Sequence, residues 1–202
     1  MKLCHSPTSP FVRKVMVLAM EKGLQDKIEL VSPDTSDIFQ GINRANPLGK
    51  IPSLELDSGD AIYDSIVICE YLDDISEGPS LFPKDGLERA KVMTLHATAN
   101  GLTDCAYQRR MDSAAMPEGE GSPTWNARLR IAMEQSLDLL EIQVAEFSGR
   151  LDIATIAIGC ALGYHDFRFS HENWREARPN LTAWFDEFSK RPSMQETIPP
   201  AP

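Results

Sequence analysis

The sequence predicts a chain in two parts, a small mixed α/β unit over residues 1–76 and an all-helical bundle over residues 86–202. Three observations carry that expectation. The first seventy-odd residues alternate strand and helix patterns in the order β-α-β, then β-β-α. Ser76–Asp85 (SEGPSLFPKD) is rich in turn formers and reads as a linker, with its body at 77–85. After it the apolar spacing is helical and no strand pattern appears.

Lys2–His5 is a short strand candidate. Pro10 to Lys22 reads as a helix, because Phe11, Val15, Leu18 and Val12, Met16, Ala19 recur at three and four, and Gly23 is a good stop. Lys27–Val31 alternates Ile28 and Leu30 as a strand does. Between Ser32 and Leu48 the pattern is weak, with one helical turn near Asp37–Asn43. Ser53–Asp57 and Ala61–Tyr63 flank Asp57-Ser58-Gly59-Asp60, a hairpin turn sequence. Ser65–Ile75 returns to helical spacing. A βαβ unit implies parallel strands and the hairpin adds an antiparallel pair, so the sheet is mixed and covered by helices.

In the second half, Leu87–Met111 and Thr124–Phe147 are long helix candidates separated by the loop Met116–Pro123. Leu129, Met133, Leu137, Leu140 and Val144 form one apolar stripe on the second of these. Asp152–Phe167 is apolar almost all round and should be the buried central helix, with Gly159 and Gly163 allowing close approach. Asn180–Lys190 is a last helix and Ile198–Pro202 a tail.

Composition is that of an ordinary globular protein, 42% apolar and 25% charged. No run approaches the roughly 18 apolar residues of a membrane span, and the N-terminus lacks a signal peptide's apolar core. A net charge of −10 argues against nucleic acid or an anionic membrane as partner, since both need a basic footprint. The four cysteines (Cys4, Cys69, Cys105, Cys160) are dispersed, without metal-ligand spacing, which fits a reducing cytoplasm and no metal.

Four short signals carry chemistry: Ser9-Pro10 opening a helix, Asn46-Pro47-Leu48-Gly49-Lys50, Ile51-Pro52 opening a strand, and Asp64-Ser65 opening a second helix. Helix N-termini offer N–H groups and partial positive charge to anions. Two such seats beside a proline-started strand suit an extended peptide carrying a thiol and carboxylates, which points to glutathione.

The motifs SPTSPFVRK, NPLGKIPSLELDSGDAIYDSIVICEYLDD and LDIATIAIGCALGYHDFR together resemble the cytosolic glutathione transferases, over essentially the whole chain. The likeness is greatest to bacterial transferases of the Ser/Cys-site type. The resemblance implies a thioredoxin-like N-terminal domain with a mixed four-stranded sheet, an all-α C-terminal domain, glutathione as co-substrate, no prosthetic group, a small hydrophobic electrophile and a cytoplasmic homodimer. One departure concerns the buried helix. The family starts it with S/T-x-x-D, whereas Gly149 stands three residues before Asp152, and the connector from Phe147 is short.

In that frame Ser9 is the catalytic candidate. As an N-cap it needs no further role, but its hydroxyl can also donate to a glutathione thiolate and hold its pKa down. Ser6 and Thr8 are rival hydroxyls. Cys4 lies in the first strand, and a serine rather than cysteine at residue 9 weighs against disulfide exchange. In thioredoxin-like folds the proline corresponding to Pro52 is cis, and Ile51 would pair through its main chain with the cysteinyl part of glutathione. Ser65, read as the cap of its helix, would also receive the γ-glutamyl carboxylate, and Asp64 the ammonium group. Lys50 would meet the glycyl carboxylate or stay in solvent. Arg13 is expected to hold the two domains together. Asp104, Arg109 and Arg110 read first as solvated or ion-paired charges, and Tyr107, Trp125, Phe167 and Trp174 first as core. The lead function is attack of activated glutathione on an electrophile. The alternatives are a non-catalytic binding protein of the same architecture and a glutathione-dependent peroxidase or thiol reductase.

Overall fold

The computed structural model describes residues 1–33, 45–114 and 120–200. The turn expected near Asp37–Asn43, and part of the loop at Met116–Pro123, lie outside them. The chain divides into two compact units, Met1–Lys84 with the segment that begins at Pro192, and Asp85–Arg191.

In the first unit β1 (Lys2–Cys4), α1 (Pro10–Glu21), β2 (Glu29–Val31), β3 (Ser53–Glu55), β4 (Ala61–Ile62) and α2 (Ser65–Asp74) follow the expected order. The sheet runs β2-β1-β3-β4, parallel between β1 and β2 and antiparallel elsewhere. Register places Leu3 opposite both Leu30 and Leu54, and Leu54 opposite Ile62, so one apolar row crosses the sheet. Leu3 and Leu54 in that row are fully buried, as are Val15 and Leu18 of α1 and Ile68 and Leu72 of α2. This is the thioredoxin-like arrangement, a mixed four-stranded sheet with packed helices.

Glycine ends α1 for a stereochemical reason. Gly23 has φ +65°, which lets its N–H reach Met20 O and the Leu24 N–H reach Ala19 O at 2.7 Å, while Leu24 is buried. The linker is tied down by a buried ion pair. Lys22 Nζ lies 3.0 Å from Asp73 Oδ1, and Asp73 also accepts from Ser80 Oγ at 2.5 Å and from the Leu81 N–H at 3.0 Å. Burial alone would push the Asp73 carboxyl up. The Ser80 and Leu81 donors and the Lys22 ammonium outweigh it and hold the pKa below the ordinary value.

A helix that the sequence pattern did not signal, α7 (Pro192–Glu196), belongs to this first unit. The sequence pattern places the segment from residue 192 in the helical domain. Its place in the first unit follows from hydrogen bonds to α1: Arg13 Nη2 donates to Met194 O at 2.9 Å, Arg13 Nε to Thr197 Oγ1 at 3.3 Å, and Ser193 Oγ to Glu21 at 2.5 Å. Arg13 therefore clamps α1 to the C-terminal segment. The expectation that it joins the two domains is corrected, because both partners lie in one unit.

The second unit is helical: α3 (Gly86–Ala114), α4 (Pro123–Phe147), α5 (Ile153–Phe169) and α6 (Pro179–Phe188), with a short 3₁₀ turn at Ser170–Glu172. Thirteen of the 17 residues of α5 are buried, which makes it the central helix, packed mainly on α3. Leu129, Met133, Leu137 and Leu140 of the α4 stripe are buried, whereas Val144 is half-buried. The start of α5 resolves the departure seen in sequence. Asp152 is itself the N-cap and accepts from the Ala154 and Thr155 N–H groups, while Thr155 Oγ1 accepts from the Asp152 N–H at 3.0 Å. The capping box thus runs D-x-x-T, beginning at the aspartate rather than ending there. At α6, no side chain of Arg178 caps the helix. Glu141 of α4 instead accepts from the Asn180 and Leu181 N–H groups.

Candidate functional site

Strand directions bring the sequence signals to one end of the sheet. Ser53 opens β3 opposite Cys4, the last residue of β1, and β4 ends at Ile62 opposite Leu54. The residues leaving β1 (His5–Ser9), entering β3 (Ile51-Pro52) and leaving β4 (Tyr63–Ser65) therefore share that end. Both α1 and α2 start there, so two positive helix N-termini converge on it.

Ser9 is the N-cap of α1, with φ −81° and ψ 121°, and Pro10 at N1 is buried. Its Oγ accepts from the Val12 N–H at 3.3 Å, and among the described residues its own proton goes to no acceptor. The rival hydroxyls differ: Ser6 Oγ and Thr8 Oγ1 lie 3.3 Å apart and bond each other. Cys4 is buried in β1, and burial pushes its thiol pKa up, away from a nucleophilic thiolate.

The Ile51–Pro52 peptide is cis, with Pro52 buried and Ile51 half-buried. The loop before it is organised by Asn46, a residue quoted in the sequence motif but given no role there. Asn46 is 2% exposed; its Oδ1 accepts from the Leu48 N–H and its Nδ2 donates to Lys50 O, both at 2.9 Å. A single buried amide thus sets the path of the backbone into Ile51. Lys50 itself is exposed.

At α2 the expected cap shifts by one residue. Asp64, not Ser65, is the N-cap, its Oδ1 accepting from the Ile66 N–H at 3.2 Å, and Ser65 is the first helical residue. The reason is that a carboxylate two residues before an N–H reaches it as well as a hydroxyl does. Capping therefore leaves Ser65 Oγ uncommitted; it is 3% exposed and makes no hydrogen bond among the described residues. Asp64 is exposed.

In the helical unit, Arg109 is a buried structural cation. It forms a fork with Glu172 at 2.6 and 2.9 Å, and Nε donates to Asn126. Hydrogen bonding from Arg109 holds the Glu172 carboxyl below its usual range. Trp174 is core, donating to Asp166 at 2.7 Å. Tyr107 and Trp125 are exposed, against the expectation of core packing. Phe167 is half-buried and lies beneath the Arg168 guanidinium at 4.0 Å. Asp104 is exposed. No His/Cys/Asp/Glu group able to hold a metal occurs among the described residues, and no helix there is long and apolar enough to cross a membrane.

The glutathione S-transferase N-terminal domain family matches residues 8–75 and the C-terminal domain family residues 123–187. An uncharacterised GST-like protein of Escherichia coli (strain K12), YibF, is 36% identical over 203 residues, 99% of each chain. A glutathione transferase family member from Pseudomonas fluorescens Pf-5, solved with bound glutathione, is 41% identical with 99% of each chain covered and a TM-score of 0.94. The structure of that family member with bound S-(propanoic acid)-glutathione gives 41% identity, full coverage of both chains and a TM-score of 0.91. The chain belongs to the glutathione transferase superfamily.

Proposed function

We propose that the protein is a glutathione transferase in which Ser9 holds the glutathione thiolate at the N-terminus of α1. The observation that carries this is the state of Ser9 Oγ. It is fixed by the Val12 N–H, keeps its proton for a ligand, and stands at the sheet end shared by Ile51 and Ser65. A hydroxyl donor and a helix N-terminus both favour the anion, so the thiol ionises closer to neutral pH. The serine is a donor and not a base. Ile51 would pair by main chain with the cysteinyl residue, Ser65 Oγ and the α2 N-terminus would take the γ-glutamyl carboxylate, Asp64 the ammonium group and Lys50 the glycyl carboxylate.

The Pseudomonas relative holds a glutathione thioether, the kind of molecule a conjugation produces, which favours transfer to an electrophile over disulfide exchange. Serine instead of cysteine at residue 9 points the same way. A detoxifying cytoplasmic homodimer acting on a small hydrophobic electrophile is the accompanying expectation; light scattering of the purified protein tests the dimer.

Titration calorimetry with reduced glutathione, followed by turnover with an aryl halide, an organic peroxide and a disulfide, tests the function. Binding with turnover of the aryl halide supports it. Turnover of the disulfide alone would replace it with a thiol reductase, and binding without any turnover with a non-catalytic binding protein.

A further inference from the structure

The residues leading into Ile51 are shaped from one position. The main-chain carbonyl of Asn46 accepts from the Gly49 N–H at 2.9 Å, closing a turn with Pro47 in its second place. The side chain adds two bonds at 2.9 Å, Oδ1 accepting from the Leu48 N–H and Nδ2 donating to Lys50 O. One partner can only donate and the other only accept, so they fix which end of the amide is which. Pro47 and Leu48 are exposed, and Gly49 holds φ +63°, which glycine adopts without strain. Asn46 is the buried member of this loop.

The Nδ2 bond acts beyond the loop. Lys50 O is one end of a planar peptide whose other end is the Ile51 N–H. That peptide is trans, so its carbonyl and its N–H point in opposite directions. Holding the carbonyl to a buried amide therefore turns the Ile51 N–H away from Asn46 and fixes its plane. The N–H has no acceptor among the described residues, and Ile51 is half-buried. An open main-chain donor beside a strand suits the main-chain carbonyl of an extended ligand.

We infer that Asn46 is a positioning residue for glutathione: through the Lys50–Ile51 peptide it aims the Ile51 N–H at the carbonyl of the cysteinyl residue. This rests on the reading that glutathione lies across Ile51, and not on what its thiol attacks. The contact that Asn46 serves is main chain. Its effect is therefore the same for a thiol or a thioether, and with or without a glycine after the cysteine. Ser9 differs in acting on the sulfur, and the Lys50 side chain in acting on the glycyl carboxylate.

The test begins with the full-length wild-type protein, isotope-labelled for amide hydrogen exchange by NMR. Saturation with S-methylglutathione should slow exchange of the Ile51 N–H by at least about tenfold; an Ile51 amide left unprotected by the bound ligand would overturn the inference. Asn46→Ser keeps an oxygen within reach of the Leu48 N–H but is too short for Lys50 O. By calorimetry its Kd values for glutathione, S-methylglutathione and γ-glutamylcysteine should rise by a common factor of about five, one neutral hydrogen bond. KM for glutathione should rise by the same factor, with kcat held within about twofold. Three results in the folded variant would overturn the inference: affinities within about twofold of wild type, a loss confined to glutathione, or a loss confined to ligands with a free thiol. The second would assign the effect to the Lys50 side chain and the third to the sulfur. Absence of glutathione heat in wild type would refute the glutathione reading and this inference together, whereas wild-type binding with an indifferent Asn46→Ser would refute the inference alone.

Discussion

Replacing Ser9 by alanine separates a helix cap from a thiolate donor, because the two roles predict different observables. The cap is one hydrogen bond, Val12 N–H to Ser9 Oγ at 3.3 Å, and its loss costs about 1 kcal/mol of stability. The donor role is a hydrogen bond to a charged group, about 1.5–3 kcal/mol. At about 1.4 kcal/mol per unit, its loss raises the pKa of the bound thiol by roughly one to two units. The thiolate population at a pH well below that pKa falls by about ten- to a hundredfold. A more basic thiolate is also a better nucleophile, with a Brønsted slope of about 0.4–0.5, which offsets nearly half of the loss on a logarithmic scale. Turnover near neutral pH should therefore fall by about three- to tenfold, less than the population alone implies. Ultraviolet titration of the bound thiolate gives the pKa, and the pH profile of turnover should shift upward by the same amount. Glutathione affinity at a pH below both measured bound-thiol pKa values, where the thiol is protonated in both proteins, should stay within about threefold. Ser9→Thr, which keeps cap and donor, should restore most of the effect. An unchanged thiol pKa alongside the loss of about 1 kcal/mol would leave Ser9 a cap and nothing more.

Asp73→Ala removes the carboxylate partner of the Lys22 ammonium, whose side chain is 4% exposed and which keeps the Pro79 carbonyl at 2.8 Å, and takes the acceptor from the Leu81 N–H while Ser80 keeps Phe82 O; urea unfolding should show a loss of about 3 kcal/mol, the low end for a broken buried pair. The folded Asp73 pKa lies below its unfolded value, so this contribution is present above about pH 4, the unfolded carboxyl range, and disappears as pH falls through the folded value; the alanine variant should lack that acid limb. Ser65→Ala should weaken glutathione binding by about tenfold with little change in thermal unfolding, because Asp64 and not Ser65 caps α2; unchanged affinity would remove Ser65 from the site. His165 is 1% exposed, neither ring nitrogen has a partner among the described residues, and burial lowers its pKa against the pull of Glu172, Asp166 and Glu134. The unfolded chain then gains a proton near pH 6.5 that the folded one refuses, so stability should fall from there toward lower pH at up to about 1.4 kcal/mol per pH unit. His165→Leu should flatten that slope, and an unchanged slope would assign the acid sensitivity to other groups.

Elements with a strong local signal were legible in the sequence to within a few residues. Pro10 and Gly23 bound α1 because a ring that fixes φ and a residue that accepts positive φ act within one turn of themselves. The α4 stripe and the buried α5 were legible because burial imposes a period on composition. At Asp64-Ser65 and Asp152 the residues of the cap were visible but not its register, since aspartate and serine or threonine can each take either end of the motif. The helix at 192–196 was missed because five residues carry no period; Arg13 and Glu21, some 170–180 residues away in sequence, hold that segment.

Chain chemistry alone determined the α/β-then-helical order, the two helix N-termini with their hydroxyl and carboxylate, and the choice of serine over cysteine at residue 9. These are local properties, set by a residue and its neighbours within a turn. Tertiary structure decided which hydroxyl keeps its proton, that Asn46 shapes the approach to Ile51, and that Arg109 meets Glu172. Such outcomes depend on which groups meet across long stretches of chain, and hydrogen bonds and ion pairs form between neighbours in space, whatever their separation in sequence.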